Sequence, residues 1–239
     1  MRLDKALSLT GVSRSEAKQI IARGRVRVRG EIARDPGMNV EISDVALDNA
    51  PICADSEIYI MIHKPAGVIT ATEDKRLPTI VSLLPDHLQK RKIGPVGRLD
   101  RDVTGLVILT TDGQLAHRLI SPKWKAEKTY RAVCEGRLTD ADVRAFAQGL
   151  ILSDFTAQPA DLAILSADDG QSTADVTLTE GKFHQVKRMF AAIRHPLLSL
   201  SRLRIGCVSL DPALAMGEWR KLTDAEIAGL KRMSDLIQE

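Results

Sequence analysis

Hydrophobic spacing along the chain is helical at the start, passes into a short strand, fades, and resumes as a longer series of strands. Leu3 to Leu9 repeats at helical intervals and stops at Thr10-Gly11. Ser13 with Glu16 forms a capping-box signature, and Ala17, Ile20 and Ile21 mark the inner side of a second helix that Gly24 ends. Arg25 to Arg29 alternates with period two, so this strand buries Val26 and Val28 on one face and presents Arg25, Arg27 and Arg29 on the other. From Val45 to Glu57 no period survives among a proline and several acids. This predicts a small helix-helix-strand module at 1–48, a linker at 49–57 and a larger domain at 58–239.

The larger domain opens on Ile58 to His63, a strand rich in β-branched residues that runs into the Lys64-Pro65-Ala66-Gly67 turn. Further strands are predicted at 107–110, 129–134, 160–165, 174–179, 198–204 and 208–210. Helices are predicted at 114–120, 139–149 and 184–194, with a last one capped by Thr223 and Glu226. Strands outnumber helices and do not alternate with them regularly. The fold class is therefore α+β, with a mainly antiparallel mixed sheet rather than a doubly wound one.

Composition narrows the class without naming a function. At 239 residues, 44% hydrophobic and 27% charged, the chain reads as a folded globular protein. Its longest apolar stretches fall far short of the roughly 20 residues that span a bilayer, so no membrane partner is expected. Asp4 and Lys5 stand where a signal peptide needs an apolar core, which makes a cytoplasmic protein the expectation. Cys53, Cys134 and Cys207 are widely separated and have neither disulfide nor zinc spacing, so no metal site is expected.

Charge changes the picture more. Residues 1–34 hold nine Arg or Lys against three acids, a balance of +6, whereas the chain as a whole is only +3. A concentration of this kind attracts a polyanion such as nucleic acid. The candidate chemistry lies elsewhere, in Gly94-Pro95-Val96-Gly97-Arg98-Leu99-Asp100-Arg101-Asp102-Val103-Thr104-Gly105, where two carboxylates flanked by arginines precede an apolar strand. Asp102 has a plain structural alternative as a loop cap. Glycoside hydrolysis is a poor fit, because it needs carboxylates on opposite sides of the scissile bond. No Gly-rich phosphate loop of the GxxxxGK[ST] type is present.

Two resemblances organise these features. RLDKAL, GVSRSEAKQII and GRVRVRGE resemble the small RNA-binding module named after ribosomal small-subunit protein four. That resemblance implies RNA-backbone contacts from Arg2, Lys5, Arg14, Lys18, Arg23, Arg25 and Arg27, which supply affinity and orientation rather than sequence reading. GRLDRDVTGLVILTTDG is similar to the catalytic loop of ribosomal RNA pseudouridine synthases. HKPAG, SPKWKAEKTY, EGKFHQVKRMF and RIGCVSL match the same family in order, and HQVKRMF with MGEWRKLT looks most like its small-subunit (RsuA) branch.

The second resemblance implies that Asp100, not Asp102, is the catalytic carboxylate, that Lys187 keeps it charged with Arg188 as the neighbouring alternative, and that Tyr130 stacks on the target uracil. Arg98 either grips a phosphate or fills the gap left by a flipped nucleotide, unless it forms a structural ion pair. His184 is expected to be structural, bonded at its helix start. Val103 stands where the family usually has Ser or Thr. No cofactor is implied, because the isomerisation exchanges no atoms with another molecule. The implied partner is 16S ribosomal RNA, within a small-subunit assembly particle, acted on by a monomer. A large-subunit (23S) enzyme and a non-catalytic assembly factor are the alternatives.

Overall fold

The computed structural model describes residues 1–8, 10, 12–52 and 57–236. Leu9, Gly11 and Cys53 of the readings above lie outside the described residues. The chain divides into two compact units, Met1–Glu57 and Ile58–Glu239.

In the small unit, α1 (Leu3–Ser8) and α2 (Arg14–Ala22) are followed by β1 (Val26–Val28), β2 (Glu31–Ile32), β3 (Val45–Leu47) and β4 (Ala50–Pro51). Ser13 and Glu16 form a reciprocal capping box at the start of α2. Ala17 and Ile21 join Leu3, Leu7, Val26 and Val28 in the core. The sheet order is β2-β1-β3-β4. Residues 45–51 therefore correct the linker reading: Val45 pairs with Val28 and Leu47 with Val26, so β3 is the inner neighbour of β1. Ala50 then pairs back onto Leu47. A three-residue strand is too short to display a period, and its partner lies nearly twenty residues upstream.

In the large unit the elements are β5 (Tyr59–Lys64), α3 (Asp86–Gln89), β6 (Gly94–Pro95), β7 (Thr104–Thr110), α4 (Gly113–Ile120), β8 (Lys128–Glu135), α5 (Asp140–Gln148), β9 (Asp161–Ala167), β10 (Gln171–Leu178), α6 (Gln185–Ala192), β11 (Leu197–Ile205), β12 (Val208–Ser209), β13 (Trp219–Lys221) and α7 (Asp224–Met233). Seven strands run in the order β13-β5-β7-β11-β8-β10-β9, with β6 and β12 appended to β7 and β11. All pairings are antiparallel except β7 with β11, so the sheet is mixed and the class α+β.

Side chains of period two divide the sheet into two faces. Ile60, Ile62, Val107, Leu109, Ala132 and Val176 pack with Phe146 of α5 and Met189 and Phe190 of α6. Tyr59, Met61, Leu106 and Ile108 pack with Leu115 and Leu119 of α4 and Leu230 of α7. One register row crosses five strands as Lys64, Gly105, Arg202, Tyr130 and Val176. Gly105 is obligatory there: its φ is +106°, and a Cβ would stand 2.3 Å from the Arg202 carbonyl oxygen. Cys134 is buried and Cys207 is exposed. Among the described residues no helix is long and apolar enough to cross a membrane.

Candidate active site

The carboxylate loop, 96–103, enters β7 beneath the first turn of α6, and a cleft of about 80 Å³ opens between them. Arg98, Asp100, Tyr130, His184 and Lys187 line it, with Val103, Leu178 and Leu200 as apolar wall. A larger recess of about 440 Å³ belongs to the small unit, where Val28, Met38 and Asp44 are among its walls, and it contains none of these residues.

Lys187 is the hinge of the arrangement. Its Nζ lies 3.2 Å from Asp100 Oδ2 and donates to both oxygens of Asp102, at 2.7 and 2.8 Å. Burial disfavours its charge, but the hydrogen bonds to Asp102 and Asp100 outweigh that and hold the ammonium above its ordinary pKa. The same bond holds Asp102 below the usual carboxylate range. The two acids differ in setting: the Asp100 side chain is 30% exposed and faces the cleft, whereas that of Asp102 is 73% exposed.

Arg188 does not serve as the alternative cation. One position further around a helix of 3.6 residues per turn, it points away and binds Asp154 and Ser153, with its guanidinium 4.9 Å from the Phe155 ring. His184 also departs from its expected role. It occupies the position before α6 with a left-handed backbone, φ 50°, and makes no capping hydrogen bond. Its Nε2 instead stands 3.5 Å from Asp100 Oδ1.

Tyr130 is buried on β8, its ring on the cleft wall and its hydroxyl without a hydrogen bond among the described residues. Arg98 is exposed at the rim and makes no ion pair among the described residues, which leaves its structural alternative unfilled. Val103 needs no hydroxyl, because its side chain is buried in the core and its loop is held through backbone groups.

Those backbone bonds come from Lys64 and Gly67, which the motif reading quoted but gave no role, and from Thr70, which lies outside every quoted motif. Lys64 is fully buried at the end of β5, and its Nζ donates to the carbonyls of Val103 (2.7 Å), Pro65 (3.1 Å) and Arg101 (3.2 Å). The Gly67 amide donates to Arg101 at 2.8 Å. On the other side of Asp100, Thr70 Oγ1 donates to the Leu99 carbonyl at 2.8 Å and accepts from its amide at 3.1 Å. Asp100 is thus clamped at both neighbours. Burial pushes the Lys64 amine down to about 8, an effect the Asp102 and Asp100 charges only partly offset. Lys128, half-buried on β8, is likewise lowered to about 8 by burial and by Arg202. The one sequence signal for Lys64 is a lysine continuing the inward positions Ile60 and Ile62.

In the small unit the cations fall into two groups. Lys5, Arg14, Lys18 and Arg23 are exposed on the helices or just after them and make no ion pair among the described residues. Arg2 is bound by Asp4 through two bonds of 3.1 Å, and Arg25 by both oxygens of Asp48. Arg27 donates to Asn49 at 2.9 Å and to the Gly30 carbonyl at 2.8 Å. The row of strand arginines is therefore largely engaged within the unit.

An aspartate, a lysine and a tyrosine thus stand around one cleft of the large unit. The family model for RNA pseudouridylate synthase matches residues 58–192, and that for the S4 domain matches residues 1–45. The chain is 41% identical to ribosomal small subunit pseudouridine synthase A of Escherichia coli K12, over 96% of this chain and all of the relative. An uncharacterized RNA pseudouridine synthase of Bacillus subtilis is 41% identical over 95% of this chain and 97% of its own. A crystal structure of a pseudouridylate synthase superposes with a TM-score of 0.68 at 37% identity, covering 96% of this chain and 99% of that one. The chain belongs to the RNA pseudouridylate synthase family and is a pseudouridine synthase with an amino-terminal S4 domain.

Proposed function

We propose that this enzyme isomerises one uridine of 16S ribosomal RNA in the cytoplasm, acting as a monomer, with Asp100 as the catalytic carboxylate. The observation that carries the assignment is the Asp100–Lys187 pair, 3.2 Å apart in a cleft walled by Tyr130. A carboxylate attacks C1′ of the ribose, or removes the 2′ proton to give a glycal, only as the anion, and the adjacent ammonium favours that form. The C1′–N1 bond breaks, the uracil turns within the cleft, and C1′–C5 forms. The proton on C5 leaves and N1 regains one, so the product is an isomer and needs no external donor.

Tyr130 supplies a flat wall for the uracil, and its uncommitted hydroxyl is suited to moving the C5 proton. Arg98, unpaired at the rim, suits a phosphate or the gap of an unstacked nucleotide. Arg188, held by Asp154, is a weaker RNA contact than Arg98. Removing a uridine from structured RNA costs a few kcal/mol, which the exposed cations of the S4 domain help to offset through phosphate contacts. Near-complete coverage of the Escherichia coli small-subunit enzyme supports the 16S target.

Asp100→Asn is the direct test. It abolishes pseudouridine formation while RNA binding persists, and retention of activity overturns the assignment of Asp100. Pseudouridine mapping in cells with and without the gene tests the target. A site lost from large-subunit RNA with every small-subunit site retained overturns the 16S assignment.

A further inference from the structure

We infer that Phe183 and His184 form a stacking site for a nucleobase next to the target uridine, and that it opens directly onto the catalytic cleft. Phe183 is 76% exposed, although only eight aromatic residues occur in the chain. A phenyl ring left in water costs hydrophobic free energy, and such rings are ordinarily buried. This ring is nonetheless ordered by its neighbour: the Phe183 and His184 rings are stacked, with centroids 3.7 Å apart and planes at 20°. One face of Phe183 is thus occupied by the imidazole, and its exposure leaves the other bare.

Backbone geometry fixes the pair. His184 adopts φ 50° and ψ 29°, a left-handed conformation that is costly for a residue with a Cβ. Adjacent side chains in a helix or a strand diverge, and the reversal at His184 permits two consecutive rings to lie face to face. Its Nε2 stands 3.5 Å from Asp100 Oδ1, so the stack abuts the carboxylate proposed to act on the ribose. Lys182, the preceding residue, has a side chain 47% exposed, and its ammonium lies 3.9 Å from Glu180 and over the Phe155 ring at 3.6 Å, so it is already engaged and the bare ring face carries the site.

A flat apolar face at the mouth of a cleft proposed to take a flipped nucleotide matches single-stranded nucleic acid. Every base has a π-face, and such platforms accept bases with little sequence preference. The occupant is a base of the substrate RNA adjacent to the uridine in the cleft, and His184 makes the same stack a prop for Asp100. A protein surface packing on Phe183 is the competing occupant.

This inference rests on the proposed function, and its test separates the two. Initial rates are measured by release of tritium from C5-labelled uridine in a small-subunit ribosomal RNA transcript. Phe183→Ala and Phe183→Leu lower kcat/KM roughly tenfold, the scale of one lost base stack, and Phe183→Trp recovers most of it. Leucine keeps the apolar area but has no π-face. Asp100→Asn with Phe183→Trp, mixed with the transcript, loses tryptophan fluorescence beyond that lost by Asp100→Asn alone, which retains Trp124 and Trp219.

Unchanged turnover in Phe183→Ala, or equal rates for leucine and tryptophan, overturns the stacking site and points to a protein partner or plain apolar packing. Equal quenching overturns it too. Neither result touches the assignment of Asp100, which fails only if Asp100→Asn remains active.

Discussion

Positive charge is handled oppositely in the two units. In the small one, residues 1–57 carry nine bases and nine acids, because residues 35–57 contribute six acids and no base. The unit is neutral in sum, and its basicity is a matter of placement. Asp48 and Asp44 bind Arg25 and Arg29, while Lys5, Arg14, Lys18 and Arg23 stay in solvent. In the large unit Arg98 and Lys182 stay exposed at the rim of the cleft, but the cations that hold its loop and carboxylates are withdrawn from water. Lys64 is fully buried, Arg202 is 3% exposed with one guanidinium nitrogen lacking a partner among the described residues, and Lys187 is shared by two carboxylates. Exposed charges act over a Debye length and are screened by salt, whereas buried ones act at contact and are not. The first set suits the capture of a long polyanion, and the second suits holding a few atoms in register.

The largest test of that contrast is Lys187→Met. It leaves the Asp100 and Asp102 carboxylates without their shared cation, and kcat falls by about 10²–10³-fold. The loss is the same at low and high salt once saturating RNA is used. A defect that vanishes at saturating RNA would move Lys187 to the capture set.

Gly105→Ala comes next and concerns the sheet beneath the loop. The new Cβ meets the Arg202 carbonyl oxygen at 2.3 Å and its nitrogen at 2.5 Å, both backbone atoms that cannot swing aside. Parallel pairing of β7 with β11 has to open, at a cost of about 3 kcal/mol, read as a lowered urea midpoint. Wild-type stability would show that this row tolerates separation.

Lys64→Met ranks third, destabilising by about 1–3 kcal/mol because three carbonyls lose their donor. Its pH dependence is more telling than its size. Lys64 titrates near 8 when folded against an ordinary 10.5, so between those values the unfolded chain binds the extra proton. Wild-type stability therefore gains with rising pH across that window, from the penalty that burial imposes below it. The gain is absent from Lys64→Met, and thermal melts of both proteins at pH 7 to 10 measure the difference. Parallel curves would mean that Lys64 is buried without a cost to its charge.

Much of this architecture was legible in the chain, for definite reasons. The longer strands announce themselves, β5 as a β-branched apolar run buried on both faces and β8 and β10 as alternations with three and four buried positions, and the Ser13–Glu16 and Thr223–Glu226 capping boxes mark helix starts. What escaped depends on distant partners. β3 and β13 have three residues each and are strands only because β1 and β5 pair with them. Motif resemblance pointed to Asp100, Tyr130 and Lys187, and the fold brings all three to one cleft. Spacing alone said nothing of the role of Lys64 or the direction of Arg188, because each is set by a loop far away in sequence. His184 was misread because a helix-start position suggests capping, whereas its left-handed backbone turns the ring toward Asp100.

The smallest expected effect bears most directly on the opening contrast. If capture is set by unpaired cations, Lys18→Ala reduces the salt slope of RNA binding by about one, and Arg25→Ala by much less, because Asp48 already neutralises Arg25. The converse is Asp48→Asn. Asp48 has φ 50°, a backbone that asparagine accepts readily, so the turn is kept while the charge is removed. Arg25, 47% exposed, is then released toward phosphate, and RNA binding tightens a few-fold at low salt with a steeper salt slope. Filter binding across a salt series measures this. A slope unchanged by Asp48→Asn but reduced by Lys18→Ala would confine capture to the helices and leave the strand arginines a structural part in holding β3 to β1.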